Sequence, residues 1–157
     1  EIVEANHGCK DLALIGVITR GEFIACRIAN YIKQFEAIEV PVGVLDITLY
    51  RDDLNQNLGK KATSRSQIDF DINGKTIVLI DDVIKSGRTT RAALDALNDY
   101  GRPGKVQLLT LLDRGHREVP ISADFVGKNI PTAPYERINV QLVEYDEIDE
   151  VTITRES

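Results

Sequence analysis

Two adjacent carboxylates, Asp81 and Asp82, stand at the end of an apolar run, and the loop Val83-Ile-Lys-Ser-Gly-Arg-Thr-Thr90 follows them. Side-by-side carboxylates can accept hydrogen bonds from a vicinal diol, such as the 2′- and 3′-hydroxyls of a ribose. They can also hold a divalent cation, directly or through water. Residues Lys85 to Thr90 offer backbone N–H groups and the hydroxyls of Ser86, Thr89 and Thr90. Gly87 permits a tight turn and a close backbone approach. A helix beginning there directs its positive end at the loop, which suits a monophosphate. The loop matches neither GxxxxGK[ST] nor the dinucleotide pattern GxGxxG. Ser-Gly-Arg-Thr by itself would be a capped helix start, with Thr89 or Thr90 as the N-cap. The two carboxylates ahead of it favour a ribose-phosphate site instead.

The elements that must position these groups alternate along the chain. Leu12 to Ile18, Thr76 to Ile80 and Val106 to Leu112 are continuous apolar runs, the mark of strands covered on both faces. Between the first two, residues 21–36 place Ile24, Ile28, Tyr31, Ile32 and Phe35 at helical spacing. Residues 89–100 predict a second helix with Ala93, Ala96, Leu97 and Tyr100 on one face, ended by Gly101 and Pro103. Val40, Val42 and Val44 alternate, then Leu45, Ile47 and Leu49 do so out of phase: one bulged strand or two short pieces. Ala123 to Gly127 reads as a short strand, and Ile138, Val140 and Leu142 as a late, half-exposed one. Such alternation predicts an α/β fold with a mostly parallel twisted sheet flanked by helices and joined by right-handed crossovers. Ligands then bind beyond the C-terminal strand ends, in the loops starting near Ile18, Ile80 and Leu112. Residues 51–70 are polar and too long for a simple connection, which suggests a lid over the site or a disordered loop.

The 157 residues suit one domain, and an apolar fraction of 43% argues against disorder. The chain contains no Met and opens on Glu1-Ile2-Val3-Glu4, the pattern of a helix already under way, so an N-terminal segment is expected to be missing. No apolar run approaches the roughly 20 residues of a membrane helix. Cys9 and Cys26 lack metal-ligand or CxxC spacing and read as reduced, partly buried thiols of a cytoplasmic protein. A net charge of -6 argues against a broad basic face for nucleic acid, while leaving room for a small basic patch. The acidic stretch Glu144 to Glu150 reads as a solvated face rather than a metal site, and His7 as a surface residue.

Asp81-Asp82-Val-Ile-Lys-Ser-Gly-Arg-Thr-Thr-Arg resembles the phosphoribosyl-pyrophosphate (PRPP) signature of type I phosphoribosyltransferases. Ile18-Thr-Arg-Gly21, Asp46 to Asp53, Leu112-Asp-Arg-Gly-His-Arg-Glu118 and Val126-Gly-Lys-Asn-Ile-Pro-Thr132 narrow the resemblance. Together they are similar to the bacterial pyrimidine operon regulators that double as uracil phosphoribosyltransferases, over nearly the whole chain.

The resemblance implies a type I phosphoribosyltransferase fold, in a single domain over 1–157, with a small hood and a mobile catalytic loop. It implies that Asp81 and Asp82 hold the ribose hydroxyls of PRPP and, with them, Mg²⁺. Lys85, Ser86, Gly87, Arg88, Thr89 and Thr90 would hold the 5′-phosphate. Thr19, Arg20 and Gly21 match the pyrophosphate loop, which in the family often carries a non-proline cis peptide. Arg51 would come over the pyrophosphate. Asp113, Val126 and Lys128 are the implied hood contacts to uracil. Arg27, His116, Arg117 and Lys128 match positions facing RNA. The implied function is UMP and pyrophosphate formation from uracil and PRPP, together with UMP- or UTP-dependent binding of a leader mRNA stem-loop, by a homodimer or homotetramer. Two departures concern the RNA: Ser122 stands where relatives usually carry arginine, and the N-terminal segment is absent. A regulator with little activity, or a salvage enzyme for another base such as hypoxanthine, are the competing possibilities.

Overall fold

The apolar runs assemble into one parallel sheet, seen in a computed structural model that describes residues 1–51 and 64–156. A single helical turn, α1 (Ile2–Ala5), precedes β1 (Leu12–Val17), α2 (Arg20–Glu36) and β2 (Val42–Leu45). Then come β3 (Thr76–Ile84), α3 (Arg88–Leu97), β4 (Lys105–Asp113) and β5 (Phe125–Asn129). The chain ends with β6 (Glu136–Gln141), a short turn α4 (Val143–Asp146) and β7 (Glu150–Arg155). The sheet order is β2-β1-β3-β4-β5, all parallel, with β1 and β3 at its centre.

All six residues of β1 are buried, because the sheet is covered on both faces. Leu12, Leu14, Val78 and Ile80 pack with Ile24, Ala25 and Ile32 of α2 and with Ile138 and Val140 of β6. Ala13, Ile15, Ile77 and Leu79 pack on the other face with Ala92, Ala93, Ala96 and Leu97 of α3.

Several elements depart from the expectations. Strand β3 does not stop at Ile80. It runs on to Ile84, with Asp81 opposite Thr110 and Ile84 opposite Asp113, so the carboxylates sit inside a strand. Helix α3 starts at Arg88, and its N-cap is Gly87 at φ +85°, not Thr89 or Thr90. It ends before Tyr100, which is 39% exposed. On α2, Tyr31 and Phe35 share the helical spacing of the core residues but are 60% and 75% exposed, stacked on each other at 6.4 Å. The phase slip near Leu45 is the end of β2, followed by a 3₁₀ turn at Thr48–Tyr50. The late strand β6 has a partner: β7 pairs with it antiparallel, from Glu136 opposite Arg155 to Gln141 opposite Glu150. Of the polar stretch 51–70, Gln67 bridges to Val44. Most of the expected catalytic loop lies outside the described residues.

Candidate active site

The site begins with two glycines. A Cβ on Gly16 would lie 2.4 Å from the Gly21 carbonyl oxygen, and one on Gly21 would lie 2.4 Å from that of Ile80. Only hydrogen side chains allow the N-terminus of α2 to rest on β1 and on the middle of β3. The segment Thr19-Arg20-Gly21 is thereby brought beside Asp81. The Ile18–Thr19 peptide is cis.

Beyond the C-terminal ends of β1 and β3 lies a cleft of about 350 Å³, lined by Thr19, Asp46, Arg51, Arg65, Asp81 and Asp82, among others. A smaller hollow of about 80 Å³ adjoins it, lined by Asp81, Val83, Lys85, Ser86, Gly87 and Thr90, among others. Asp81, Val83 and Thr89 line both. The small hollow sits at the start of α3, where first-turn backbone N–H groups and the dipole favour an anion.

Asp81 and Asp82 are linked through the backbone: the Asp82 N–H donates to Asp81 Oδ1 at 2.9 Å, and the Val83 N–H to Asp82 Oδ1 at 2.9 Å. Burial and the neighbouring Asp82 charge push the Asp81 carboxyl well above the usual carboxylate range. A diol or a cation here would relieve that repulsion. Among the described residues no three of His, Cys, Asp or Glu gather as a metal site. Two adjacent carboxylate oxygen donors suit Mg²⁺ as a partial donor set, since Mg²⁺ commonly keeps water and substrate oxygens in its shell.

At the cleft wall Asp46 is 8% exposed and richly bonded. It accepts the Thr48 N–H at 3.1 Å, the Thr48 hydroxyl at 2.6 Å and the Arg65 N–H at 3.0 Å. Burial pushes its carboxyl up, but these hydrogen bonds and the Arg65 charge outweigh that and hold it below its ordinary value.

A third cleft, of about 530 Å³, shares Asp82 and is lined by Arg20, Arg137, Asn139, Gln141 and Asp146, among others. Arg20 donates to both Asp146 oxygens, at 3.1 and 2.8 Å, and lies 5.4 Å from the centre of the Tyr145 ring. Thus β6 and α4 form a wall that faces Asp82.

The remaining candidates lie apart from these clefts. Asp113 accepts Arg117 Nη1–H at 2.9 Å and Nη2–H at 2.6 Å. Arg117 also donates to Lys85 O at 3.1 Å and Ile121 O at 2.6 Å, while Glu118 and Val119 N–H donate to Ser86 O. The loop after β4 is therefore strapped to the phosphate loop. His116 Nε2 meets Thr132 O at 2.5 Å. Arg27 is held by Glu144 and Asp149, at 2.6 and 2.7 Å. Val126 is half-buried, and Lys128 is exposed on β5. The buried Arg114 donates to Thr132 Oγ1 at 2.9 Å and also to the carbonyl of Glu136. Arg65, Asp46 and Arg137 line the clefts without having stood out as sites in the sequence. Asp46 lay within a motif, but Arg65 and Arg137 sit in polar stretches where no spacing singles them out.

A family model described as phosphoribosyl transferase domain matches residues 1–146. The chain is 57% identical over 153 residues to the bifunctional protein PyrR of Thermus aquaticus, covering 98% of this chain and 84% of that one. It is 54% identical to the bifunctional protein PyrR of Chloroflexus aurantiacus, covering 100% and 86%. Among solved structures it is similar to the hypoxanthine phosphoribosyltransferase of Trypanosoma cruzi, with a TM-score of 0.67 at 18% identity, over 93% of this chain and 77% of that one. A hypoxanthine-guanine phosphoribosyltransferase of Bacillus anthracis gives a TM-score of 0.58 at 26% identity, over 80% and 69%.

Proposed function

The chain belongs to the phosphoribosyl transferase family and, within it, with the bifunctional PyrR proteins, and from that membership we propose that it makes UMP and pyrophosphate from uracil and PRPP and regulates pyrimidine genes through their leader mRNA. One observation carries the enzymatic part. The phosphate-sized hollow at the start of α3 adjoins the larger cleft and shares Asp81, Val83 and Thr89 with it, which supports a ligand with a diol at the carboxylates and a phosphate at the helix start.

In the reaction, N1 of uracil bonds to C1′ of the ribose, the bond from C1′ to the pyrophosphate oxygen breaks, and the N1 proton is lost. No protein nucleophile is required. Asp81 and Asp82 orient the ribose by accepting from its hydroxyls. Lys85 to Thr90 hold the 5′-phosphate through N–H and hydroxyl donors. Thr19, Arg20, Gly21 and Arg51 face the departing pyrophosphate. Asp81 and Asp82 would hold Mg²⁺, through water or ribose, and the ion would supply charge that stabilises the leaving group. The rate gain then comes from positioning and from preorganised charge. Asp113, Val126 and Lys128 are assigned to the base side of the hood.

The regulatory part assigns Arg27, His116, Arg117 and Lys128 to a leader stem-loop, with UMP or UTP as co-regulator. Single-stranded loop bases suit such Arg and His side chains. The same reading takes residues 1–157 as one domain acting in the cytoplasm as a homodimer or homotetramer. No helix among the described residues is long and apolar enough to cross a membrane.

UMP formation from uracil and PRPP with Mg²⁺, measured beside Asp82→Asn and a hypoxanthine control, tests the enzyme. Uracil-dependent turnover that the variant abolishes is expected. Turnover with hypoxanthine alone would replace uracil with a purine. Labelled leader RNA, titrated with and without UMP, tests the regulator.

A further inference from the structure

Arg65 is a second cation in the cleft that holds Arg51, Asp81 and Asp82. Arg65 and Arg51 are far apart in the loop sequence, yet one buried carboxylate organises both approaches. Asp46 accepts the Thr48 N–H and hydroxyl at the turn that leads into Arg51. The same carboxylate accepts the Arg65 N–H at 3.0 Å and lies 3.9 Å from Arg65 Nε. The Asp46 N–H in turn donates to Ser66 Oγ at 2.8 Å, and Gln67 and Val44 exchange backbone hydrogen bonds at 2.8 Å. The backbone of Arg65 and of the two residues after it is thus fixed to the end of β2. Its side chain is 72% exposed while Asp46 is 8% exposed, so the guanidinium extends from a buried anchor into the cleft.

A cleft with the Asp81–Asp82 pair at one side and two guanidiniums beside the already hydrogen-bonded Asp46 at the other suits a ligand that is neutral and polyhydroxylated at one end and strongly anionic at the other. Arginine holds phosphate oxygens in paired hydrogen bonds. We infer that Arg65 binds the pyrophosphate group of PRPP alongside Arg51, and that Asp46 is the positioning residue that sets both. This rests on the phosphoribosyltransferase reading above.

The test is steady-state kinetics with PRPP and uracil, joined to calorimetric titration of inorganic pyrophosphate with Mg²⁺, on Arg65→Gln, Arg65→Lys and Asp46→Asn. Arg65→Gln is expected to raise the KM for PRPP and the Kd for pyrophosphate about tenfold, the loss of one charged hydrogen-bonding group. The KM for uracil should stay within about twofold, and Arg65→Lys should fall between the wild type and Arg65→Gln. Asp46→Asn should move the same two constants in the same direction. Unchanged PRPP and pyrophosphate constants in Arg65→Gln, with Arg51→Gln impaired, would overturn the assignment. Absence of turnover in the wild type would instead overturn the enzyme reading, and the pyrophosphate titration would still judge Arg65 alone.

Discussion

Arg20 and Asp146 are 126 positions apart in the chain and meet through two hydrogen bonds of 3.1 and 2.8 Å. The pair joins the start of α2, next to the cis peptide, to the turn between β6 and β7. Asp146 also accepts the Leu142 N–H at 2.8 Å, so the turn is fixed internally before it is fixed to α2. Arg27, two helical turns along, repeats the contact with Glu144 and Asp149.

The Arg20 hydrogen bonds, and then the Leu142 N–H, hold the Asp146 carboxyl below its ordinary range. A lowered carboxyl contributes stability that is present above its unfolded pKa and is lost as pH falls through the folded one. Asp146→Asn should therefore lower Tm at pH 7, and the difference from the wild type should shrink as pH drops below about 4. Thermal melts across that range check it. A difference independent of pH would show that the charge does not matter.

Gly21→Ala places a methyl 2.4 Å from the Ile80 carbonyl, a backbone atom that cannot swing aside. The variant should lose about 1–3 kcal/mol, and turnover should fall further because Asp81 follows Ile80 directly. Urea denaturation gives the first quantity and the PRPP assay the second. Gly8→Ala is a fair control for added bulk, since nothing lies within 4 Å there, although its φ of +121° adds strain of its own.

Asp113 and Arg117 form a pair whose side chains are 18% and 24% exposed. The Arg117 hydrogen bonds hold the Asp113 carboxyl below its ordinary value, although burial opposes them. Asp113→Asn should cost about 2 kcal/mol at neutral pH and less in acid, by the same sign argument. Chemical denaturation at two pH values decides it.

Arg117 also reaches Lys85 O in the phosphate loop, at 3.1 Å. Arg117→Ala is therefore expected to raise the KM for PRPP as well as to weaken leader RNA. Lys128 is exposed on β5, and Lys128→Ala should raise the KM for uracil while leaving the KM for PRPP alone. If Lys128 meets RNA phosphate, the salt dependence of binding should flatten by about one ion. Equal loss of RNA affinity in both variants with PRPP kinetics untouched would sink the link between the two loops.

The parallel sheet and the strand–loop–helix around Asp81 were legible because continuous apolar runs survive only where both faces are covered. The cleft was legible for the same reason, since the topology directs loops to one end of the sheet. Strand β7 was not, because Glu150–Arg155 is exposed on nearly every residue and carries no burial period. Tyr31 and Phe35 misled because helical spacing marks a stripe but not its width. The reach of Asp82 into the strand was hidden by its charge, which hydrophobic periodicity reads as a loop. Arg65 was hidden because its importance comes from Asp46, 19 positions earlier.

The antiparallel pairing of β6 with β7 has a consequence for the order in which the chain acquires its shape. The hairpin closes across Leu142 to Asp149 alone and can form within about 1–10 µs of collapse. The sheet centre cannot, because β1 meets β3 only after α2, β2 and the long connection between them are spanned. Ile138, Val140 and Leu142 have nothing to bury against until that sheet has formed. The hairpin is thus preformed early yet docked late, and it is held down chiefly by that one apolar row and the arginines of α2. In native-state hydrogen exchange its amides should open together, ahead of those in β1 and β3, as a separate cooperative unit seated above the carboxylates.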